Sequence, residues 1–168
     1  MPNTVNNIIA KNKIPSHKYL VEGAINTNII NSLRKDNQGS CGAEAFFLGT
    51  IRRDEVKEKW VASIEYSAYT AMAEKVFAKI ENRIQTQYNI EQIKILHAIG
   101  TVAVGEVSML VLIQSKHRKA AFLALADTVE FIKAYAPVWK KEQYEDGSYS
   151  WVNCTQCQHA AKTIGPLN

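Results

Sequence analysis

The apolar stretch at residues 107–113 constrains the fold of this chain more than any other segment. It reads Val-Ser-Met-Leu-Val-Leu-Ile, without the polar residue at every second position that marks a strand with one face in water. We therefore predict a central strand that is covered on both faces. With 168 residues, of which 46% are hydrophobic, the chain is long enough for one domain with such a core.

Two long segments have apolar residues at helical spacing and can supply that cover. The stripe of the first helix, predicted over residues 70–88, consists of Met72, Val76, Phe77, Ile80 and Ile84. The stripe of the second, predicted over residues 115–135, consists of Phe122, Leu125, Val129 and Ile132. Thr70 and Ser115 are placed to cap the two N-termini, and Pro137 ends the second helix.

Shorter segments complete the order of elements. Strands are predicted at 19–21, 42–51, 60–66, 90–99, 107–113, 138–144 and 148–152, with a short helix after Asn26 or Asn28. We expect the strands at 42–51 and 60–66 to pair as a hairpin across a charged loop. The last two strands are expected to form a second hairpin, and Gly100 and Gly105 are expected to bracket a turn. Runs of adjacent strands between helices predict an α+β fold with a mostly antiparallel sheet.

We expect one domain over residues 19–155, preceded by a flexible segment at 1–18 and followed by a tail at 156–168. The first residues lack the charged-then-apolar design of a secretory signal, and no apolar run approaches the roughly 18 residues of a membrane span. The expected location is therefore cytoplasmic. Phosphate-binding loops and nucleophile elbows are absent from the sequence.

Charge and cysteine content narrow the function further. The net charge is +4, from 20 Lys and Arg against 16 Asp and Glu, which suits an anionic small molecule or an acidic partner better than nucleic acid. Three cysteines argue against a disulfide framework. Cys154-x-x-Cys157-x-His159 lacks a second nearby pair to complete a zinc site, so we interpret it as a polar tail and expect no metal. His17 and His97 are isolated, and we interpret them as incidental.

The segment Lys116-His117-Arg118-Lys119 places cationic residues in the first turn of the second helix. Positive charge there opposes the helix dipole, whereas the free N–H groups of a helix N-terminus attract anions. An anion-binding turn and a solvated basic turn both fit this pattern.

Two further groups are candidates for chemistry. Lys133 lies in the last turn of the same helix, where a cation is favoured for structural reasons alone. Lys140 follows Pro137 and Trp139, and a lysine held in a partly dry pocket can act as an acid, a base or a nucleophile. Arg52 ends a predicted buried strand, a common position for a binding group and equally for an ordinary exposed arginine.

Taken together, these clusters resemble the large, catalytic subunit of molybdopterin synthase. The matching segments cover about residues 20–152 and follow in the same order. They are Gly42-Ala43-Glu44-Ala45-Phe46-Phe47-Leu48-Gly49-Thr50-Ile51-Arg52, Ile64-Glu65-Tyr66, His97-Ala98-Ile99-Gly100 with Val104-Gly105-Glu106, Ser115-Lys116-His117-Arg118 with Ala121-Phe122, and Lys133-Ala134-Tyr135-Ala136-Pro137-Val138-Trp139-Lys140-Lys141-Glu142 with Trp151-Val152. The last is the most specific, because two lysines flank an Ala-Pro-x-Trp segment at a spacing of seven.

The resemblance implies an α/β hammerhead-like fold and a transferase of molybdenum cofactor biosynthesis. Such an enzyme converts precursor Z, a cyclic pyranopterin monophosphate, into the dithiolene molybdopterin, without a bound cofactor. Its sulfur comes from the thiocarboxylated Gly-Gly C-terminus of a small ubiquitin-like subunit, and a central homodimer carries one small subunit at each end of a heterotetramer. The implied catalytic residues are Lys133 and Lys140, and the implied substrate-binding residues are Thr50, Ile51, Arg52, His117, Arg118, Lys141 and Glu142.

Two departures from the family pattern concern anion binding. Arg53-Asp54-Glu55 replaces an Asn-rich segment, and Asn153 follows Val152 at the point where some relatives have an arginine nearby. Arg53 and Lys119 are candidates to replace that arginine.

Two other classes of function are alternatives to the enzyme. A non-catalytic scaffold for a ubiquitin-like partner is disfavoured by the presence of both Lys133 and Lys140. A small nucleic-acid-binding domain is disfavoured by the mild charge and by the lack of an aromatic platform.

Overall fold

A computed structural model of the protein describes residues 17–34, 39–152 and 167. The elements within these residues are β1 (Leu20–Glu22), α1 (Thr27–Arg34), β2 (Ala43–Thr50), β3 (Glu55–Val56), β4 (Lys59–Ala68), α2 (Thr70–Tyr88), β5 (Gln92–Ala103), β6 (Val107–Ser115), α3 (Arg118–Tyr135), β7 (Val138–Tyr144) and β8 (Tyr149–Trp151). The α+β class is confirmed, and so is the predicted order, except that the predicted charged loop contains the short strand β3. The predicted N-terminal segment, apart from residues 17 and 18, and the C-terminal tail, apart from residue 167, lie outside the described residues, as do Cys154, Cys157 and His159.

The strands form one sheet in the order β2-β6-β5-β4-β7-β8, with β1 beside β5 and β3 beside β4. The β1–β5 pairing is parallel, and the other pairings among the described strands are antiparallel. β6 lies inside the sheet, as its composition predicts. The terminal hairpin of β7 and β8 is confirmed as well.

The predicted hairpin between the strands at 42–51 and 60–66 is wrong. β2 pairs with β6 along its whole length, whereas β4 pairs with β5 and β7. The local hairpin is instead formed by β3 and β4 around Lys57 and Glu58, whose φ angles of 51° and 64° suit a tight two-residue turn. This turn reverses the chain within the charged segment, so β4 lies away from β2.

The turn predicted between Gly100 and Gly105 is also shorter than expected. β5 continues through Gly100 to Ala103, and residues 92–97 pair with β6 whereas residues 100–103 pair with β4. Gly100 has a φ of 79°, a conformation that most other residues adopt only with strain. It therefore marks the point at which β5 passes from one partner strand to the other.

The main core lies between α2, α3 and one face of the sheet. It includes Phe77, Ile80 and Ile84 from α2 and Phe131 and Ile132 from α3, all at most 2% exposed. Each such side chain contributes about 1.5–3 kcal/mol through burial. On the opposite face of the sheet, α1 covers Leu96, Leu110 and Leu112. This double cover explains why β6 is apolar on both sides.

The helix stripes are only partly as predicted. Met72 and Phe122 are 51% and 63% exposed, and Ala73 and Ala121 are buried in their place. A four-residue step overshoots one helical turn by about 40°, so the α2 stripe, which has three such steps from Met72 to Ile84, rotates by about 120° and leaves Met72 outside the packed face. The predicted caps are wrong too. Tyr69 and His117 occupy the N-cap positions and make no side-chain capping bond.

Candidate functional site

α3 carries the predicted site residues at its two ends, far from one another. It returns across β6 and β2 after the chain leaves β6, so its first residue, Arg118, lies near the start of β2 and its last turn lies near the end of β2. The 15 residues between Arg118 and Lys133 span roughly 22 Å of helix axis. The sequence-predicted residues therefore fall into two groups rather than one.

The first group is the basic turn, Lys116 to Lys119. All four of its side chains are exposed, and Lys116 lies 3.6 Å from the carboxylate of Glu91. A close backbone approach positions this turn, because a Cβ on Gly42 would lie 2.6 Å from the carbonyl oxygen of Lys116. His117 and Arg118 thus begin α3 beside uncapped N–H groups, an arrangement that binds anions.

The second group is the lysine site, which consists of Lys133, Lys140, Glu142, Tyr66 and His97. Lys133 is exposed in the last turn of α3. The helix stops at Ala136, which is extended with a ψ of 124°, because Pro137 disfavours a helical residue before it. The chain then enters β7, where Lys140 lies directly opposite Tyr66 of β4.

The pKa of Lys140 lies below its ordinary value. Partial burial lowers its pKa, the positive charge of Lys133 lowers it further, and the carboxylate of Glu142 opposes both effects. Lys133 is therefore near enough for its charge to act on Lys140. A lysine with a lowered pKa can exchange a proton closer to neutral pH than an exposed one.

Strand alternation separates the neighbouring predicted residues Lys141 and Glu142. Glu142 lies on the same face of β7 as Lys140 and accepts a hydrogen bond from the Tyr144 hydroxyl at 3.1 Å. Lys141 lies on the opposite face, where it forms an ion pair with Glu65. Its ammonium also lies over the rings of Tyr149 and Trp151.

The third predicted cluster, Thr50-Ile51-Arg52, begins at the last residue of β2, on the side of the lysine site. Ile51 is 4% exposed, and its backbone is bonded on both sides to the turn between β5 and β6. Thr50 and Arg52 are exposed, and Arg52 donates to Asp54 at 2.8 Å. The next residue, Arg53, donates two hydrogen bonds to Glu145 and lies over the ring of Trp60, so its guanidinium is already engaged.

Sequence reasoning missed Tyr66 and His97. His97 is buried, and its ring meets the Tyr66 ring edge-on at 5.2 Å between centroids. The Tyr66 hydroxyl donates to Ser108, which donates to the carbonyl oxygen of Gly49. The available signal was a histidine flanked by the apolar residues Ile95, Leu96, Ala98 and Ile99 of its strand.

The described residues contain no group of three or more His, Cys, Asp or Glu side chains that could hold a metal ion. None of the described helices is long and apolar enough to cross a membrane.

Comparison with known proteins identifies the family. A family model described as MoaE protein matches residues 21–135, which is more than half of the chain. The chain belongs to the MoaE protein family. A rat molybdopterin synthase catalytic subunit is 39% identical over 121 residues, which cover 72% of this chain and 60% of the relative. The chain spans about 60% of the length of its mammalian relatives.

Solved structures support the MoaE fold. The crystal structure of molybdopterin synthase from Staphylococcus aureus matches with a TM-score of 0.72 and 31% identity, over 80% of this chain and 96% of that chain. A protein–protein complex of subunits 1 and 2 of the molybdopterin-converting factor from Helicobacter pylori matches with a TM-score of 0.67 and 21% identity, over 82% and 90% of the two chains. The hammerhead-like α+β fold that the sequence predicts is that of these MoaE structures.

Proposed function

We propose that this MoaE-family protein is the catalytic subunit of a molybdopterin synthase. In this reaction, sulfur passes from the thiocarboxylate of a small subunit to precursor Z, and the product is the dithiolene molybdopterin. The observation that carries the proposal is the convergence of Lys133 and the half-buried Lys140 at one end of α3. The names of the relatives point to the same reaction.

The charges of the two groups suit the two anions of this reaction. Arg118 can hold a phosphate with two parallel hydrogen bonds, and His117 and the free N–H groups of α3 add donors beside it. Lys140 is suited to proton delivery because its pKa is lowered. Lys133 supplies positive charge to the oxyanion that forms when the acyl carbon of the thiocarboxylate is attacked.

The remaining predicted residues frame the lysine site. Arg52 is exposed at the end of β2 and offers a further cation to the anionic ligands, while Thr50 and the backbone of Ile51 line the approach. Glu142 balances the charge of Lys140. Lys141 faces away from Lys140, so its role is to hold β7 against β4 through Glu65.

The proposed partner is a small ubiquitin-like subunit with a Gly-Gly C-terminus. The Helicobacter pylori neighbour was solved as a complex of two subunits, which supports a partner of this kind. We propose that the glycine tail reaches Lys133 and Lys140. A tail without side chains can enter a narrow groove and be held through main-chain hydrogen bonds.

We further propose a homodimer, within a heterotetramer, in which two chains build each site. The basic turn and the lysine site of one chain are roughly 22 Å apart along α3, which is too far for one pterin phosphate to contact both. A twofold interface can bring the basic turn of one chain to the lysine site of its partner. The phosphate would then be bound by one chain, and the chemistry would be performed by the other.

Reconstitution tests this function. The protein is mixed with thiocarboxylated small subunit and precursor Z, and formation of the dithiolene is measured, with reactions that lack each component as controls. We expect product only in the complete mixture. A chain that binds the small subunit without forming product would instead be a scaffold, and one that binds neither component would refute the proposal.

A further inference from the structure

His97 is a buried titratable group for which the proposed reaction has no direct use. It lies on β5, is 6% exposed, and donates its Nδ1 hydrogen to the carbonyl oxygen of Ala98 at 2.8 Å. The rings of Tyr66 and Phe77 lie 5.2 and 6.3 Å from its ring, between centroids. The two neighbouring rings and the hydrogen bond to the backbone of Ala98 therefore fix the position of the imidazole.

Tyr66 connects His97 to Lys140. Lys140 is the register partner of Tyr66 across the β4–β7 pair, and the Tyr66 ring packs against His97. The charged groups that act on Lys140 are Lys133 from α3 and Glu142 from β7, and the charge of Lys140 in turn acts on His97 of β5. Among these groups, His97 approaches from the core side of the sheet.

Resting on the function proposed above, we propose that His97 is a positioning residue whose uncharged ring forms the dry floor of the lysine site and keeps water away from the inner side of Lys140. In this role the imidazole neither contacts the substrate nor exchanges a proton during the reaction. It acts only through Lys140, by making the charged form of that lysine less favourable.

The electrostatics agree with a neutral ring. Burial, opposed by the hydrogen bond to Ala98 and aided by the positive charge of Lys140, lowers the pKa of His97 to about 4. The ring is thus uncharged across the neutral pH range, and it cannot act on Lys140 by charge there. It acts through the volume it fills, because a lysine deprived of water loses its proton more readily.

The test measures the proton affinity of Lys140 directly. Folded protein is labelled with a trace of acetic anhydride across a pH series, and the labelled fraction of the Lys140 peptide is read by mass spectrometry against the exposed lysines. His97→Ala opens space for water, so we expect several-fold less Lys140 labelling near neutral pH and a midpoint shifted to higher pH. His97→Phe keeps a ring in place, so its Lys140 labelling should match that of the wild type.

Two further variants separate this role from a loss of stability. His97→Asn is smaller but keeps a donor for the Ala98 carbonyl, so it should shift the labelling midpoint as His97→Ala does, even if the alanine variant does not fold. Thr128→Ala removes a buried hydroxyl that bonds within α3, and it should leave Lys140 labelling unchanged. Unchanged labelling in folded His97→Asn, or an equal upward shift in His97→Phe, would overturn the proposal.

Activity gives a second readout that a merely structural role would not move. In the sulfur-transfer assay, kcat of His97→Asn should fall at neutral pH, because a lysine with a higher pKa delivers its proton less readily. The alkaline limb of its pH profile should shift to higher pH, with KM little changed. The labelling experiment needs no substrate, so its failure would remove only the role of His97. A wild-type chain that forms no dithiolene would remove the proposed function and leave the labelling result intact.

Discussion

The shared active site can be tested by mixing two inactive variants. Arg118→Ala removes a charge-assisted contact to the phosphate, worth about 1.5–3 kcal/mol or roughly 10- to 100-fold in activity. Lys133→Ala removes the positive charge at the other end of α3. If one site takes Arg118 from one chain and Lys133 from its partner, a mixed dimer has one intact site and one doubly defective site.

The expected recovery follows from statistical exchange. An equal mixture gives mixed dimers as about half of the population, each with one of two sites intact, so activity should return to about one quarter of the wild-type value. The assay is dithiolene formation after subunit exchange, with mixed dimers verified by native mass spectrometry on differently tagged chains.

A matched pair of variants serves as the control. Lys133→Ala mixed with Lys140→Ala should not recover, because both lysines come from the same end of the same chain and no mixed dimer has an intact pair. Verified mixed dimers of Arg118→Ala and Lys133→Ala with no activity above that of the parent variants would refute the shared site. Recovery in the control pair would refute the grouping of the two lysines.

Three further outcomes follow from the site and the fold. Lys133→Ala and Lys140→Ala should each lose about 10²-fold in turnover with unchanged thermal unfolding. Lys75, which is exposed on α2, provides the control, and Lys75→Ala should keep the wild-type turnover. Near-normal turnover in both site variants would remove the two lysines from the mechanism. A small subunit without its last two glycines should fail to transfer sulfur and should bind more weakly in a pull-down, and survival of both properties would exclude tail insertion. Gly42→Ala should lower the free energy of unfolding by about 1–3 kcal/mol because of the 2.6 Å approach to Lys116, and an unchanged urea midpoint would contradict this packing.

Much of the fold is determined locally, and the sequence alone was sufficient there. The apolar run of β6 can be satisfied only by cover on both faces, and Pro137 ends α3 whatever surrounds it. The family resemblance rests on short segments of this kind. The chemistry of these segments by itself indicates Lys133, Lys140 and the basic turn.

Pairing and orientation were decided by the tertiary structure. The order of β2 and β4 along the chain does not predict that β2 pairs with β6. Strand partners depend on how the whole sheet assembles and not only on proximity along the chain. The same limit applies to Met72 and Phe122, which have apolar side chains but lie outside the packed faces of their helices.

The environment of the site shows this limit most clearly. Lys140 and Lys141 are identical and adjacent in the sequence, yet strand alternation places one beside Tyr66 and the other in an ion pair with Glu65. Neither neighbour of His97 in the chain is charged, and its connection to Lys140 through Tyr66 arises only when β5, β4 and β7 pair. A sequence specifies which groups can ionise, whereas burial and the charges that surround each group are properties of the folded chain, and these determine the pKa of a lysine.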